Sequence, residues 1–218
     1  MKIDVIQHVG AMRRRVAYSQ RDGKPTHVVV ATRTYDTTQD DLWDAITNPE
    51  RIPRWFLPVT GEFRVGGRYQ LQGNAGGEIL RCDRPAHLAL TWAFGGQVSW
   101  VDVRLSPDPK GGTRLELEHT AEVDEARWKQ FGPGAVGVGW ELGLTGLALH
   151  LANRGAAVDP KAFESWSMSE EGKLFVRRSS EGWCEASIAA GTKPEEAKEA
   201  AARTTAFYTG EAPPQAGT

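Results

Sequence analysis

The fold is decided by one apolar stretch, GAVGVGWELGLTGLALHLAN, at Gly134–Asn153. Its length gives about five helical turns. Its large apolar residues recur every three or four positions, which is typical of a helix that buries one face. Gly139, Gly143 and Gly146 fall on one stripe of this helix, although an interior glycine costs a helix about 1 kcal/mol relative to alanine. The stripe therefore predicts either close approach of a neighbouring backbone or open space beside the helix.

The chain before this helix has the pattern of strands joined by short turns. Asp22-Gly23 predicts a tight hairpin turn between strands at 16–21 and 26–35, because both central turn residues need positive φ. The connectors between the following apolar runs are too short for parallel crossovers, so an antiparallel meander is predicted. Its strands are expected at 62–65, 68–72, 76–83, 87–94, 98–105 and 114–122.

Two short helices are predicted between the second strand and the meander. Thr38 and Asp41 approximate a capping box, which indicates that a helix begins after Thr38. Asn48-Pro49 starts a second helix, expected to reach Phe56, because proline is favoured in the first helical turn. Residues 123–133 have no clear periodicity and are predicted to be a polar connection.

The tail after the long helix is too apolar for a disordered segment and too short for a comfortable core of its own. Ser167–Glu170 and Thr192–Glu195 resemble capping boxes, so two helices are predicted there, packed on the preceding domain. A homodimer interface stays open as another way to cover them. The predicted divisions are 1–26 (extension and hairpin strand), 27–155 (main domain), 156–208 (helical extension) and 209–218 (flexible tail).

Composition narrows the class of protein. The chain has 218 residues, 40% of them hydrophobic, and a net charge of -2, which gives no global argument for nucleic-acid binding. Two cysteines do not make a disulfide framework, and no His/Cys spacing suits a metal. A cytoplasmic protein without a cofactor is the expectation. Neither a signal peptide nor insertion into a membrane is expected, since Glu141 and the glycines suit a buried helix.

The order strand, two short helices, meander and long helix resembles the helix-grip fold of the START-like or Bet v 1-like (SRPBCC) superfamily. The local sequence is similar to bacterial relatives of the C-terminal domain of the Hsp90 ATPase activator. The similarity covers about residues 27–153 and implies an α+β fold whose curved antiparallel sheet wraps around a long C-terminal helix. The segments that carry it are WDAITNPERIPRWF, GEFRVGGRYQL, GGEILRCDRPAHLALTW, GGTRLELEHT and GVGWELGLTGLALHLA.

In a helix-grip fold the sheet and the long helix form the walls of a cavity that the short helices close at one end. The strand alternation points apolar side chains inward, among them Leu88, Leu90, Trp92 and Phe94. His119 points the same way and is either a core histidine or a polar anchor in the cavity. Packing in the core is the alternative role for each aromatic residue. The predicted ligand-binding residues are Trp55, Phe56, Trp92, Val101, Val103, His119, Trp140, Leu144 and Leu147.

Three functions compete, because this superfamily includes several. The favoured one is non-catalytic binding of a small apolar or aromatic molecule in the grip cavity. A polyketide aromatase/cyclase-like enzyme would need converging polar groups, of which the sequence offers His119 and two weaker candidates, Thr91 and Ser99. A co-chaperone-like module would instead act on a protein partner such as Hsp90 through an exposed surface.

Overall fold

The computed structural model describes residues 1–211 and has the α+β architecture that the sequence predicted. The strands are β1 (Arg13–Arg21), β2 (Lys24–Tyr35), β3 (Val59–Gly61), β4 (Arg68–Leu71), β5 (Gly76–Asp83), β6 (His87–Phe94), β7 (Gln97–Pro107) and β8 (Thr113–Glu122). They form one antiparallel sheet in the order β1-β2-β8-β7-β6-β5-β4-β3.

The helices fall before, between and after these strands. They are α1 (Val5–Gly10), α2 (Gln39–Thr47), α3 (Glu125–Phe131), α4 (Gly134–Ala152), α5 (Pro160–Ser167), α6 (Glu170–Ala189) and α7 (Pro194–Thr209), with a 3-10 turn at Ile52–Arg54. The long helix α4 therefore spans the stretch predicted from its apolar spacing.

The described residues cluster into two units. The sheet unit comprises Thr32–Ala121 and Gly143–Val158. The helical unit comprises Met1–Ala31, Glu122–Leu142 and the described chain from Asp159. The chain passes from one unit to the other at four points: within β2, near the end of β8, within α4 and just before α5. The predicted divisions at 26, 155 and 208 stay predictions, and residues 212–218 of the predicted flexible tail lie outside the described residues.

In the sheet unit, a local hydrogen bond caps α2, whereas tertiary hydrogen bonds hold the second part of α4. The Thr38 hydroxyl accepts a hydrogen bond from the Asp41 N–H at 3.2 Å, which caps α2 as predicted. The Tyr35 hydroxyl, at the end of β2, donates to the Leu144 carbonyl on α4 at 3.1 Å. Further along α4, His150 accepts a hydrogen bond from Arg51 Nε at 3.0 Å. Both contacts tie the second part of α4 to elements from the start of the unit.

In the helical unit, a buried ion pair joins the first part of α4 to β1. The Glu141 side chain is fully buried, and Arg14 donates to its two oxygens from Nε at 2.6 Å and from Nη2 at 2.7 Å. This bidentate geometry compensates for taking both charges out of water. Helix α6 packs against α1 and β1, and α7 packs against α3 and α6, so the tail helices bury their apolar faces within this unit.

Two predicted elements before the meander differ from the structure. The predicted strand at 62–65 is a turn, held by hydrogen bonds from Arg64 N to Glu62 O and from Gly67 N to Arg64 O, each 2.9 Å. The strand that pairs with β4 is β3, three residues earlier, in the register Val59↔Leu71 and Gly61↔Tyr69. The second short helix, predicted from Asn48 to Phe56, is only the 3-10 turn.

The helices after the meander also correct the sequence reading. Residues 123–133 contain α3, which begins after Asp124, whose side chain caps it. The described part of the tail, residues 156–211, holds three helices rather than two, since α5 precedes α6. The N-cap of α6 is Ser169 and not Ser167, and α7 begins after Lys193 with no side-chain cap. Thr192 instead accepts a hydrogen bond from the Ser187 hydroxyl at 2.9 Å.

Among the helices of residues 1–211, α4 alone is long and apolar enough to cross a membrane by length and composition. The core helix of a soluble fold meets the same criteria, and here Glu141, Thr145 and His150 of α4 are buried. These buried polar groups fit a helix enclosed by protein. The absence of membrane insertion stays a prediction.

Candidate functional site

The inner face of the sheet unit is built by antiparallel register. Leu90 of β6 lies opposite Val101 of β7, and Val101 lies opposite His119 of β8. Side chains directly opposite one another project from the same face of a sheet. The same register aligns Leu88 with Val103 and Trp92 with Ser99. The result is one continuous surface that runs across three neighbouring strands.

Eight of the nine predicted ligand-binding residues belong to the sheet unit. Five are buried: Val101, Val103, His119, Leu144 and Leu147. Three are half-buried: Trp55, Phe56 and Trp92. The ninth, Trp140, is half-buried on the part of α4 that belongs to the helical unit. That these residues bind a ligand stays a prediction.

The structure brings the predicted aromatic residues together in part. Phe56 and Trp92 pack on one apolar cluster whose buried members are Tyr69, Leu71 and Ile79. Trp55 stacks on Phe56 with ring centroids 5.4 Å apart, but its Nε1–H donates to the Ala45 carbonyl at 2.9 Å. Trp55 therefore positions Phe56 and has no indole donor left for a ligand.

Strand β6 is the open part of this face. It lies between β5 and β7, yet Leu88, Leu90 and Trp92 are only half-buried. Their neighbours on the flanking strands, Val101 on β7 and Ile79 on β5, are buried. An interior strand of a filled core is buried on the core side. The row on β6 is therefore the part of the inner face that its neighbours leave partly exposed.

His119 supplies the polar group of this face. Its Nε2 lies 2.8 Å from the Ser99 hydroxyl, which donates its own proton to the Trp92 carbonyl at 3.0 Å. Because the Ser99 proton is used there, His119 must donate from Nε2 and carry its lone pair on Nδ1. Burial lowers the pKa of His119 to about 4, so the ring is neutral near pH 7.

This pair of side chains is poorly suited to nucleophilic catalysis. An activated serine must give its proton to the histidine, whereas Ser99 receives one from His119 and gives its own to a carbonyl. Among residues 1–211, no group of three or more His, Cys, Asp or Glu side chains is arranged to hold a metal ion. The arrangement is that of a hydrogen-bonding anchor on an apolar surface.

Atoms of neighbouring residues lie close to α4 at the three predicted glycine positions. A Cβ on Gly146 would lie 2.5 Å from the Trp55 carbonyl oxygen, and one on Gly143 would lie 3.3 Å from the Phe56 ring. In the helical unit, a Cβ on Gly139 would lie 2.9 Å from the Tyr208 hydroxyl. These glycines admit close neighbours, so the reading of the stripe as open space beside the helix is wrong.

Several residues of the inner face were missed as site residues. Leu88 and Leu90 were placed on the correct face, but alternation alone does not show that β6 stays half-exposed. Tyr69 is buried in the cluster, and its hydroxyl donates to the Thr91 carbonyl at 2.8 Å. The alternation of Tyr69 and Leu71 with polar neighbours was the available signal for this residue. Phe94 was assigned to the inner row, but it lies at the strand end and is exposed.

The curved antiparallel sheet with its long helix is the architecture of the helix-grip class. The family model described as Activator of Hsp90 ATPase homolog 1-like protein matches residues 36–152, more than half of the chain. The chain belongs to this family. No match was found among curated proteins.

Solved structures support the same assignment. CalU16 from Micromonospora echinospora is 33% identical in its solution NMR structure (TM-score 0.67) and covers 83% of this chain and 97% of its own. Its crystal structure gives 32% identity, a TM-score of 0.62, and coverage of 81% and 98%. Both comparisons cover more of this chain than residues 36–152, so the similarity to CalU16 includes parts of the terminal extensions.

A more distant structure shows the fold alone. MLL2253 from Mesorhizobium loti is 24% identical with a TM-score of 0.51, and it covers 58% of this chain and 97% of its own.

Proposed function

We propose that the sheet unit binds a small apolar or aromatic molecule on the inner face of its sheet, without catalysis. The observation that carries the proposal is the half-exposed apolar row on β6, formed by Leu88, Leu90 and Trp92. Apolar side chains that stay partly exposed on the inner face of a sheet favour an apolar occupant that covers them. Membership of the family fits this role.

The lining suggests the chemistry of the occupant. Apolar and aromatic side chains dominate, and Trp92 and Phe56 supply ring surfaces. The Ser99 and His119 pair is neutral and is the polar feature that register places beside Trp92. We therefore expect an uncharged or weakly polar molecule that is held mainly by apolar contact.

The test uses a matched pair of leucine substitutions on neighbouring strands. Leu90→Trp enlarges a side chain of the inner face, whereas Leu80→Trp makes the same change at an exposed position of β5. The probe is N-phenyl-1-naphthylamine, an uncharged aromatic molecule, and binding is measured by fluorescence titration and by stoichiometry in native mass spectrometry. The larger side chain in Leu90→Trp should displace the probe from its apolar contacts, so the probe should bind this variant about tenfold more weakly, or weaker still.

The control decides the meaning of the result. Leu80→Trp should bind the probe as the parent chain does, and both variants should unfold cooperatively. A folded Leu90→Trp variant that binds the probe with unchanged affinity and stoichiometry would contradict the proposal. Native mass spectrometry of the freshly purified parent chain would also show a co-purifying molecule and give its mass.

A protein partner is the second candidate, and the family supports it through its description as Hsp90 activator-like. In this role the chain would bind Hsp90 and change its ATPase rate. The check is a pull-down with bacterial Hsp90 together with an ATPase assay. Complex formation that survives Leu90→Trp would assign partner binding to another surface. Absence of both a complex and a rate change would remove this candidate.

A further inference from the structure

The helical unit contains a cleft of its own that the proposed function does not use. Its volume is about 520 Å³, within the usual range for small-molecule sites. Residues of α3, α6 and α7 line it, together with the turn that leads into α4. Every lining residue belongs to the helical unit, so the cleft can be described without reference to the sheet unit.

One side of the cleft is an aromatic wall. His27 stacks on Trp128 with ring centroids 3.8 Å apart and planes inclined by 23°, and Tyr18 meets His27 edge-on at 5.4 Å. His27 is buried and Trp128 is half-buried, so the histidine covers one face of the indole and holds it in place. A supported, partly exposed indole is a good stacking surface for a flat ring.

Helix α6 contributes an unsatisfied hydroxyl to the lining. Ser180 is 1% exposed, and its hydroxyl has no hydrogen-bond partner among the described residues. Ser187, another lining residue of α6, does have a partner, since it donates to Thr192 at 2.9 Å. A buried hydroxyl without a partner is unfavourable, and a ligand that accepts a hydrogen bond would relieve this.

The beginning of α7 adds further donors. Thr192 and Lys193 line the cleft at this point, and no side chain among residues 1–211 caps the first turn of α7. Pro194 begins the helix without an N–H, so the backbone donors are those that follow it. The first N–H groups of a helix have no partner within it and attract acceptors, above all anions. Lys129 and Lys193 line the cleft together with Glu125 and Glu196, so the lining has no net charge that would repel an anion. An acceptor such as a carboxylate therefore suits this end.

We infer that this cleft is a second binding site, specific for a small planar aromatic molecule that carries a hydrogen-bond acceptor. The ring stacks on Trp128, and the acceptor receives hydrogen bonds from Ser180 and from the start of α7. The site is independent of the inner face of the sheet, and occupation of one does not require the other.

The two cysteines of the chain provide a built-in test. Cys184 lines the cleft and is half-buried, whereas Cys82 is exposed on β5 of the sheet unit. Burial raises the pKa of both thiols above the usual value, so the parent chain is alkylated with iodoacetamide at about pH 9. Peptide mass spectrometry follows each cysteine. With 2-naphthoate in excess, alkylation of Cys184 should slow about tenfold, in proportion to occupancy, while Cys82 reacts at an unchanged rate.

Substitutions on α7 and α6 locate the effect. Ala201→Trp, at a lining position, should fill the cleft and abolish the protection of Cys184 by 2-naphthoate. Ala202→Trp, at the next position and outside the lining, should preserve that protection. Ser180→Ala should weaken 2-naphthoate binding about tenfold, since a hydrogen bond to a carboxylate is lost. That variant removes an unsatisfied hydroxyl and should fold at least as stably as the parent chain.

The outcomes separate this inference from the proposed function. Leu90→Trp should leave the protection of Cys184 unchanged, because that substitution lies on the inner face of the sheet. Protection that is lost in Leu90→Trp but kept in Ala201→Trp would overturn the second site. An unchanged alkylation rate of Cys184 in excess 2-naphthoate would overturn it as well.

Discussion

The two units stabilise buried titratable groups in opposite ways. The helical unit keeps Glu141 with a matching cation, Arg14, although burial raises the pKa of this carboxyl and Arg14 opposes the shift only in part. The sheet unit keeps His119 neutral, with Ser99 as its partner, because burial lowers the pKa of the imidazole. The stability that a buried ion pair contributes depends on the presence of both partners. The stability that a buried neutral histidine contributes depends on pH.

The largest expected effect breaks the charged pair of the helical unit. Arg14→Met leaves Glu141 buried without its cation, which should lower the free energy of unfolding by about 3–5 kcal/mol. Arg15→Met, at an exposed position of the same strand, is the control and should change stability little. Urea denaturation measures both.

A double variant sharpens this first prediction. Arg14→Met with Glu141→Leu removes both charges and should recover much of the lost stability, since paired apolar replacements of a buried ion pair are often neutral. If Arg14→Met alone proves as stable as the parent chain, the ion pair does not hold the helical unit together.

The next effect follows from the neutral histidine of the sheet unit. In the unfolded chain His119 takes up its proton near pH 6.5, whereas in the fold it does so only near pH 4. As pH falls between these values the unfolded state alone binds the proton, so stability falls by about 3 kcal/mol from this group. His119→Gln keeps a donor for Ser99 but has no imidazole to titrate. Between pH 6.5 and 4 its free energy of unfolding should therefore fall by about 3 kcal/mol less than that of the parent chain.

Denaturation of both proteins across this pH range measures the difference. The other histidines are common to the two proteins, so their titrations cancel in the comparison. Parallel stability curves for the parent chain and His119→Gln would show that His119 is not a buried neutral group.

A smaller effect compares two glycines on the part of α4 in the sheet unit. Gly146→Ala would press a Cβ against the Trp55 carbonyl and should cost about 1–3 kcal/mol, because that backbone cannot move away. Gly143→Ala meets the Phe56 ring, which can shift, and helix propensity returns about 1 kcal/mol, so it should be neutral or stabilising. Thermal unfolding of the two variants that shows equal losses would contradict this difference.

The smallest effect concerns the hydrogen bond between β2 and α4. Tyr35→Phe removes the donor to the Leu144 carbonyl and should lower the free energy of unfolding by about 1 kcal/mol. Tyr18→Phe, at an exposed tyrosine of the helical unit, serves as the matched control. A loss that is the same in both variants would show that the buried hydroxyl contributes nothing specific.

The sequence by itself determined the elements whose signals are local. The Asp22-Gly23 turn, the Thr38 cap and the spacing of α4 each depend on residues close in the chain, and all three are present. The Asp124 cap of α3 was equally local and was overlooked. Local hydrogen bonds and steric preferences act before any tertiary contact, so these features can be predicted from sequence.

Only the tertiary structure decided which partner each element met. Val59 rather than Glu62 begins the strand that pairs with β4, because the ladder is chosen by both strands. The glycines of α4 look alike in sequence, yet one faces a carbonyl and another a ring. The partly exposed row on β6 and the cleft beside Trp128 likewise depend on which neighbouring elements cover them. Volume and long-range pairing depend on residues far apart in the chain, and periodicity carries no information about them.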